Sequence, residues 1–345
     1  MIRVSAGIIR RADGRILICR RGPGRHNAHL WEFPGGKQEA GETPSDCLAR
    51  ELREELALHV RDIRPYDSRE AEGLTFDFLL ADTDGEPVLT EHEAYAFAAP
   101  RELPRYAFCP ADAPVALALA LSHPPLTDCF WDFDGTLMDT YPAMAAAMSR
   151  ALEAWSVREA PERLLSLMKE SLSHCVQVIA EARGLDARAL AKAFRREEAP
   201  LLRGVSPMPG IPEALRRLHA AGFHHYLVTH RDRAAVTALD RAGLLPLFTD
   251  TVTAEDGFPR KPAPDSLLSL IGRHGLRAER CIMLGDRPMD IRAGQAAGTL
   301  TCLIDPEGRF PHEPCTLRRP NAHGLADMLR PQAPQDMNQQ EDRHA

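Results

Sequence analysis

The chain has no long apolar run. Within its 345 residues the longest apolar stretches, such as Val115–Leu121, are far short of the ~18 residues that a membrane-spanning helix needs. It has no excess of positive charge either. Forty-nine acids against 42 basic residues leave a formal net charge of −7, which argues against a protein held on nucleic acid or an anionic membrane by bulk charge. Small phosphorylated partners carried with a metal stay compatible with that balance. The eight cysteines, at 19, 47, 109, 129, 175, 281, 302 and 315, form no C-x-x-C pair, so they are expected to be reduced core thiols of a cytoplasmic protein. Arg3, Arg10 and Arg11 surround the first short apolar stretch, so no secretory leader is expected. No internal repeat is visible. What the chain does have is 44% hydrophobic residues and, at roughly 150 residues per domain, length for two cores.

The break between them is expected at Ser122-His123-Pro124-Pro125, where a double proline stops the apolar helix of Pro114–Leu121 and a new strand begins at Cys129. Residues 331–345, PQAPQDMNQQEDRHA, are polar and read as a disordered tail. Before the break, Ser5–Ile9 and Arg15–Cys19 read as a hairpin around Ala12-Asp13-Gly14, Thr75–Leu80 as a later strand, and Thr43–His59 as a helix with Thr43 at its N-cap, Pro44 first and Asp46 completing a capping box. After it, strands at Cys129–Phe133, Phe223–Val228, Thr251–Ala254, Cys281–Leu284 and Leu300–Ile304 alternate with helical segments, including 142–199 and Pro212–Ala221. That rhythm implies a parallel sheet with ligands at the carboxyl ends of its strands.

Two constellations carry chemistry. In the first half Glu51, Glu54 and Glu55 stand at i, i+3 and i+4 of the predicted helix. Like charges so placed repel unless a divalent cation gathers them, and hard oxygen ligands favour Mg²⁺ or Mn²⁺. The bland alternative is a solvated face in which Arg50 and Arg53 pair with the acids. The surrounding string resembles the Nudix box, G-x5-E-x7-R-E-U-x-E-E-x-G-U, which favours the metal: Gly36, Glu42, Arg50, Glu51, Glu54 and Glu55 fill it, with Ala57 the one departure, where the box has Gly.

On that box, and on Gly7-Ile8-Ile9, Arg20-Arg21, Leu30–Lys37, Glu91-His92 and Pro110–Val115, residues 1–122 resemble the MutT-type branch of the Nudix hydrolases. The resemblance implies metal on Glu51, Glu54 and Glu55 with the Gly36 carbonyl, Glu54 and Glu91 assisting catalysis, and water attack at phosphorus that splits a nucleoside triphosphate into monophosphate and pyrophosphate. It places Arg21 toward the substrate phosphates, where a solvated strand-end arginine is the alternative. By the resemblance Asp112 falls at the base-reading position, which guanine-selective members fill with Asn and other members with Asp; an ionised Asp only accepts hydrogen bonds, so a modified pyrimidine triphosphate and 8-oxo-dGTP both stay open, as does a simple cap before Pro114.

In the second half Asp132-Phe133-Asp134-Gly135-Thr136 ends a strand, putting two acids on one side of it. A calcium loop would need a further acid where Thr136 stands. Thr229, Lys261-Pro262 and Gly285-Asp286-Arg287-Pro288-Met289-Asp290 follow at later strand ends. His230-Arg231-Asp232 lacks the companions of a kinase loop, and His224, His225 and His230 lack the further ligand of a zinc site. In this order the pieces resemble the four motifs of haloacid-dehalogenase-like (HAD) phosphatases, over residues 126–330. The resemblance implies Asp132 as nucleophile, Asp134 as acid and then base, Thr229 and Lys261 holding the phosphoryl group, and Mg²⁺ on Asp132, the Asp134 carbonyl and Asp286, with Asp290 behind. It also implies a helical cap over about 141–205, where Lys169, His174, Arg195 and Arg196 read as solvated faces.

The expected fold class is therefore α/β: a Nudix α/β/α sandwich followed by a Rossmann-like parallel-sheet HAD domain with an α-helical cap. The expected activity is a Mg²⁺-dependent hydrolase with two sites. A phosphomutase, a sugar- or glycolate-phosphate phosphatase unrelated to the first site, and a sensor domain regulating its neighbour are the alternatives.

Overall fold

The computed structural model describes residues 2–122 and 124–329, so the expected tail at 331–345 lies outside the described residues. The chain divides into two compact units after Pro125.

The first unit runs β1 (Arg3–Arg10), β2 (Ile16–Arg20), β3 (Trp31–Glu32), β4 (Gly35–Lys37), α1 (Pro44–Leu56), β5 (Arg61–Ala71), β6 (Leu74–Asp82), β7 (Ala94–Ala98) and α2 (Ala113–Ser122). Its sheet has the order β3-β2-β1-β6-β5, with β4 added against β1 and β7 against β2. The β1–β6 pair is parallel in register from Arg3↔Thr75 to Arg10↔Asp82, and the other pairs are antiparallel. β1 is buried on both faces. Ile9, Leu17 and Leu79 pack with Leu48, Leu52 and Leu56 of α1, whereas Ile8, Ile18 and Phe78 pack with Val115, Ala116 and Leu119 of α2. The result is a helix–sheet–helix sandwich. α1 starts as expected, the Thr43 hydroxyl accepting from the Asp46 N–H at 3.2 Å, but it stops at Leu56 rather than His59 because Ala57 turns left-handed.

The second unit runs β8 (Asp128–Trp131), α3 (Tyr141–Glu153), α4 (Pro161–Glu170), α5 (Leu172–Arg183), α6 (Ala187–Leu201), α7 (Ile211–Ala220), β9 (His224–Val228), α8 (Ala234–Arg241), β10 (Phe248–Val252), α9 (Asp265–His274), β11 (Cys281–Gly285), α10 (Pro288–Ala296), β12 (Leu300–Ile304), β13 (Leu317–Arg319) and α11 (Leu325–Leu329). All five strand pairs of the sheet β10-β9-β8-β11-β12-β13 are parallel. The expected helical stretch at 142–199 is four helices. It breaks over 154–160, again where Ser171 turns extended and caps α5, and a third time at Gly184, which closes α5 left-handed before Asp186 caps α6. Met148, Leu164, Ile179, Leu190 and Phe194 give these helices a core of their own. None of the described helices is long and apolar enough to cross a membrane. The eight cysteines are free thiols, seven of them buried.

Candidate active sites

In the first unit a cavity of about 440 Å³ opens beside β1, β4 and α1. One wall is acidic. Glu51 and Glu55 face it with side chains 15% and 19% exposed, and Gly36 lies so near that a Cβ there would sit 2.3 Å from the Glu51 carboxyl carbon. A side chain at position 36 would fill the space between that backbone and the carboxylate. Arg50 organises the approach: its guanidinium holds both oxygens of Glu42 at 2.9 and 3.0 Å and reaches Glu51 at 2.9 Å and Glu54 at 3.3 Å. Glu54 is 61% exposed and lies outside the cavity lining. Burial, with Glu51, Glu91 and Glu32 nearby, pushes the Glu55 carboxyl up to about 7 against the pull of His92. Half-buried, mutually repelling carboxylates beside a bare backbone fit a hard cation.

The opposite wall is built for a ligand's organic part. Arg21 pairs with Glu32, whose other oxygen lies 3.1 Å from His92 Nε2. Asp112 is 4% exposed and lines the same cavity as Phe33 and Phe76. Its Oδ1 accepts the Phe33 N–H at 2.9 Å, which ties the loop before α2 to β3 and the residues after it. Burial pushes that carboxyl up to about 8. Glu91 also lines the cavity and pairs with Arg25. Glu32 and His92 lie in strings that carry the resemblance, Leu30–Lys37 and Glu91-His92, but nothing local gives a strand-end acid or a loop histidine a role of its own.

In the second unit the strand order places the residues. β8 is flanked by β9 and β11, so side chains from loops after all three converge. Asp132 directly follows β8, its N–H donating to Leu284 O at 2.9 Å. Lys261 Nζ reaches Asp132 Oδ1 at 2.5 Å, Asp290 Oδ1 at 2.6 Å and the Val228 carbonyl at 2.9 Å, and all three charged side chains are at most 2% exposed. Burial works against the ammonium, but the two carboxylates hold its pKa above the ordinary lysine value. Asp286 joins them; burial pushes its carboxyl up to about 8, and the Tyr141 hydroxyl donates to its Oδ2 at 2.7 Å.

Among the described residues, Asp132, Asp286 and Asp290 alone bring three metal-ligating atoms within 4.8 Å of one another. Asp132 Oδ2 and Asp286 Oδ1 are buried without a hydrogen-bond partner, Arg287 standing off at 3.7 and 3.6 Å, and a divalent cation would relieve that condition. Gly135, at φ +71°, permits this closeness, since a Cβ would lie 2.5 Å from an Asp286 oxygen. Thr229 is 4% exposed, and its hydroxyl accepts the Arg231 N–H at 3.1 Å. Asp134 Oδ1 accepts from Thr140 Oγ1 and from Arg231 Nε, each at 2.6 Å. A cavity of about 230 Å³ adjoins the site, lined by Asp286, Arg287, Tyr141 and the cap's Lys169. Arg231 and Arg287 carry no signal of their own in the sequence beyond lying next to motifs.

A parallel sheet with buried acids around a lysine, and a sandwich with a carboxylate helix over a cavity, are two phosphoryl-transfer hydrolase folds in one chain. The comparisons agree. Residues 129–304 match the haloacid dehalogenase-like hydrolase family and residues 1–119 the NUDIX domain. The chain belongs to both families, a Nudix hydrolase domain joined to a HAD-like hydrolase domain. It is 37% identical over 132 residues to a CTP pyrophosphohydrolase of Escherichia coli strain K12, covering 36% of this chain and 97% of that protein. It is 30% identical over 183 residues to a phosphoglycolate phosphatase of Yersinia pseudotuberculosis, covering 49% of this chain and 76% of that protein. A crystal structure from Haemophilus somnus 129pt, titled a predicted phosphoglycolate phosphatase, shares the fold at a TM-score of 0.54 and 19% identity, over 59% of this chain and 97% of that one.

Proposed function

We propose that the chain hydrolyses phosphate compounds at two independent sites. The first unit would cleave a nucleoside triphosphate to the monophosphate and pyrophosphate, and the second would hydrolyse a phosphomonoester through an aspartyl phosphate. The observation that carries the second reading is the buried set of Asp132, Lys261, Asp286 and Asp290 at the strand ends.

At that site Asp132 attacks phosphorus while the bond to the leaving oxygen breaks, and Asp134 gives that oxygen its proton. Asp134 then takes a proton from the water that attacks phosphorus, and Asp132 is released as a carboxylate. Thr229 and Lys261 hold and neutralise the group in transit. Asp132, the Asp134 carbonyl and Asp286 would hold Mg²⁺, with Asp290 behind; the ion supplies charge that lets a carboxylate approach an anionic phosphate.

In the Nudix unit Gly36, Glu51, Glu54 and Glu55 would hold Mg²⁺ or Mn²⁺, which offsets charge on the phosphates. Glu54 and Glu91 would assist the attack of water, and Arg21 would face the phosphates. For the base, we infer a cytosine. A carboxyl that stays protonated to about pH 8 offers one donor and one acceptor, which match the N3 acceptor and the N4 amino donor of that base as they would N1 and N6 of adenine. The likeness to a CTP pyrophosphohydrolase supports this. The two reactions would run in sequence on one nucleotide, since the monophosphate made at the first site is a substrate type for the second.

Two variants of the full chain test the division of labour. Glu55→Gln keeps size but removes a metal-facing charge, and it should cut pyrophosphate release from CTP by about 10²-fold or more while leaving phosphate release from p-nitrophenyl phosphate intact. Asp132→Asn should do the reverse. Either variant damaging both reactions, or neither, would overturn the assignment.

A further inference from the structure

Arg231, on the loop after β9, has no part in the chemistry above, yet its buried guanidinium joins the core to the cap. Its side chain is 12% exposed; Nε donates to Asp134 Oδ1 at 2.6 Å and Nη2 to Glu198 Oε1 at 2.8 Å. Glu198 belongs to the last turn of α6 in the cap and is itself 10% exposed. Thr140 Oγ1 occupies the same Asp134 oxygen at 2.6 Å. The guanidinium also lies 5.9 Å from the centre of the Phe133 ring, which limits where it can swing.

A buried ion pair is weak evidence of stability, because desolvating both charges offsets most of their attraction. The cap core already holds Leu190 and Phe194 at 0% exposure, so an apolar residue at 198 would have served packing. What this arrangement does supply is direction. Two donors on Oδ1 fix the plane of the Asp134 carboxyl and leave Oδ2 as the oxygen that can carry a proton to the leaving group.

We propose that Arg231 is a positioning residue for Asp134 and that Glu198 ties this positioning to the cap, so that the acid is aligned when α6 seats Glu198 against the guanidinium. The proposal rests on the reading of Asp134 as the acid that protonates the leaving alcohol. Catalysis would then be coupled to lid position through one side chain that does not touch the reacting atoms.

The test uses the dependence of rate on the leaving group. An alkoxide needs a proton to depart, whereas p-nitrophenolate does not, and kcat/KM reports only the steps up to departure of the alcohol. With the full chain and Mg²⁺, Arg231→Gln should lower kcat/KM for β-glycerol phosphate by about 10²-fold and for p-nitrophenyl phosphate by less than about tenfold. Glu198→Gln, which does not contact Asp134, should move the ratio of the two in the same direction by a smaller factor. It keeps the test alive should Arg231→Gln fail to fold. Added guanidinium ion should restore the alkyl ester selectively in Arg231→Gln. Equal losses on both esters would reduce Arg231 to a structural tie and overturn the proposal; an unchanged ratio in Glu198→Gln would overturn the link to the cap. If the wild-type chain hydrolyses neither ester, the phosphomonoesterase reading itself fails.

Discussion

Asp112 sits under a cost set by its cavity. Burial is the largest influence on its carboxyl, Glu32 adds to it, and the Phe33 N–H and Arg21 oppose it, leaving the group protonated up to about pH 8 against an ordinary 3.8. Between those two values the unfolded chain gives up the proton while the folded chain keeps it. Stability is therefore lost as pH rises from about 4 to about 8 and changes no further from this group above that. Asp112→Asn keeps the acceptor for Phe33 and has no proton to lose. Urea unfolding of the two proteins at pH 5, 7 and 9 should show the variant gaining on the wild type from pH 5 to 7 and gaining about half as much again by pH 9; a constant difference would show that the carboxyl ionises normally. At this scale, residues whose identity is demanded by chemistry could be read from sequence: the structure does bring Asp132, Lys261, Asp286 and Asp290 together. Arg231, Glu198 and Glu32 could not, because each acquires its meaning from a partner distant in the chain, such as Glu198 33 residues before Arg231.

The helix α1 ends on a conflict between residue and backbone. Ala57 has φ 48° and ψ 31°, the left-handed conformation, at the position where the Nudix pattern has glycine. A Cβ there costs about 1–2 kcal/mol, and glycine returns about 0.4–1 kcal/mol of that through the greater freedom of its unfolded chain. Ala57→Gly should therefore stabilise the first unit by roughly 0.5–1 kcal/mol, read as a shift to higher urea of the midpoint for loss of pyrophosphate release. A shift to lower urea would show that the strain is already relieved. Elements with an amphipathic or a buried pattern were legible, α1 and the central strands among them. β5 was not: its sequence RDIRPYDSREA has no buried residue, and it lies at the end of the sheet order, so edge pairing with β6 holds it rather than a core face. Of the three breaks between the four cap helices, two rest on single caps, Ser171 and Asp186, and so are hard to see in the sequence, while the first is the connection over 154–160 before Pro161.

Over the whole chain, the two acid clusters belong to different compact units, so one can be disabled without unfolding the other. Covalent linkage raises the concentration of one site around the product of its neighbour, although a small nucleotide can still escape between them. With CTP as substrate, the intact protein should yield cytidine and free phosphate after a lag in which the monophosphate rises and falls. Asp132→Asn should stop at the monophosphate, as followed by chromatography over time. A monophosphate that persists in the presence of a wild-type chain active on p-nitrophenyl phosphate would separate the two reactions.

The parallel sheet also sets a timetable. The strand bearing Asp132 lies between β9 and β11, and its partners Lys261 and Asp290 follow it by 129 and 158 residues. At about 5–20 residues per second of synthesis, roughly 8–30 s pass between the making of the nucleophile and the making of the last acid beside it. Through that interval the cap helices already exist while the pocket beneath them does not, and Asp132 has neither a cation to balance it nor a neighbour to bury it. The first unit, whose β1 finds its parallel partner within 82 residues, can close long before. A chain cut short before Asp286 and Asp290 would thus carry the whole of the first acid cluster and only part of the second.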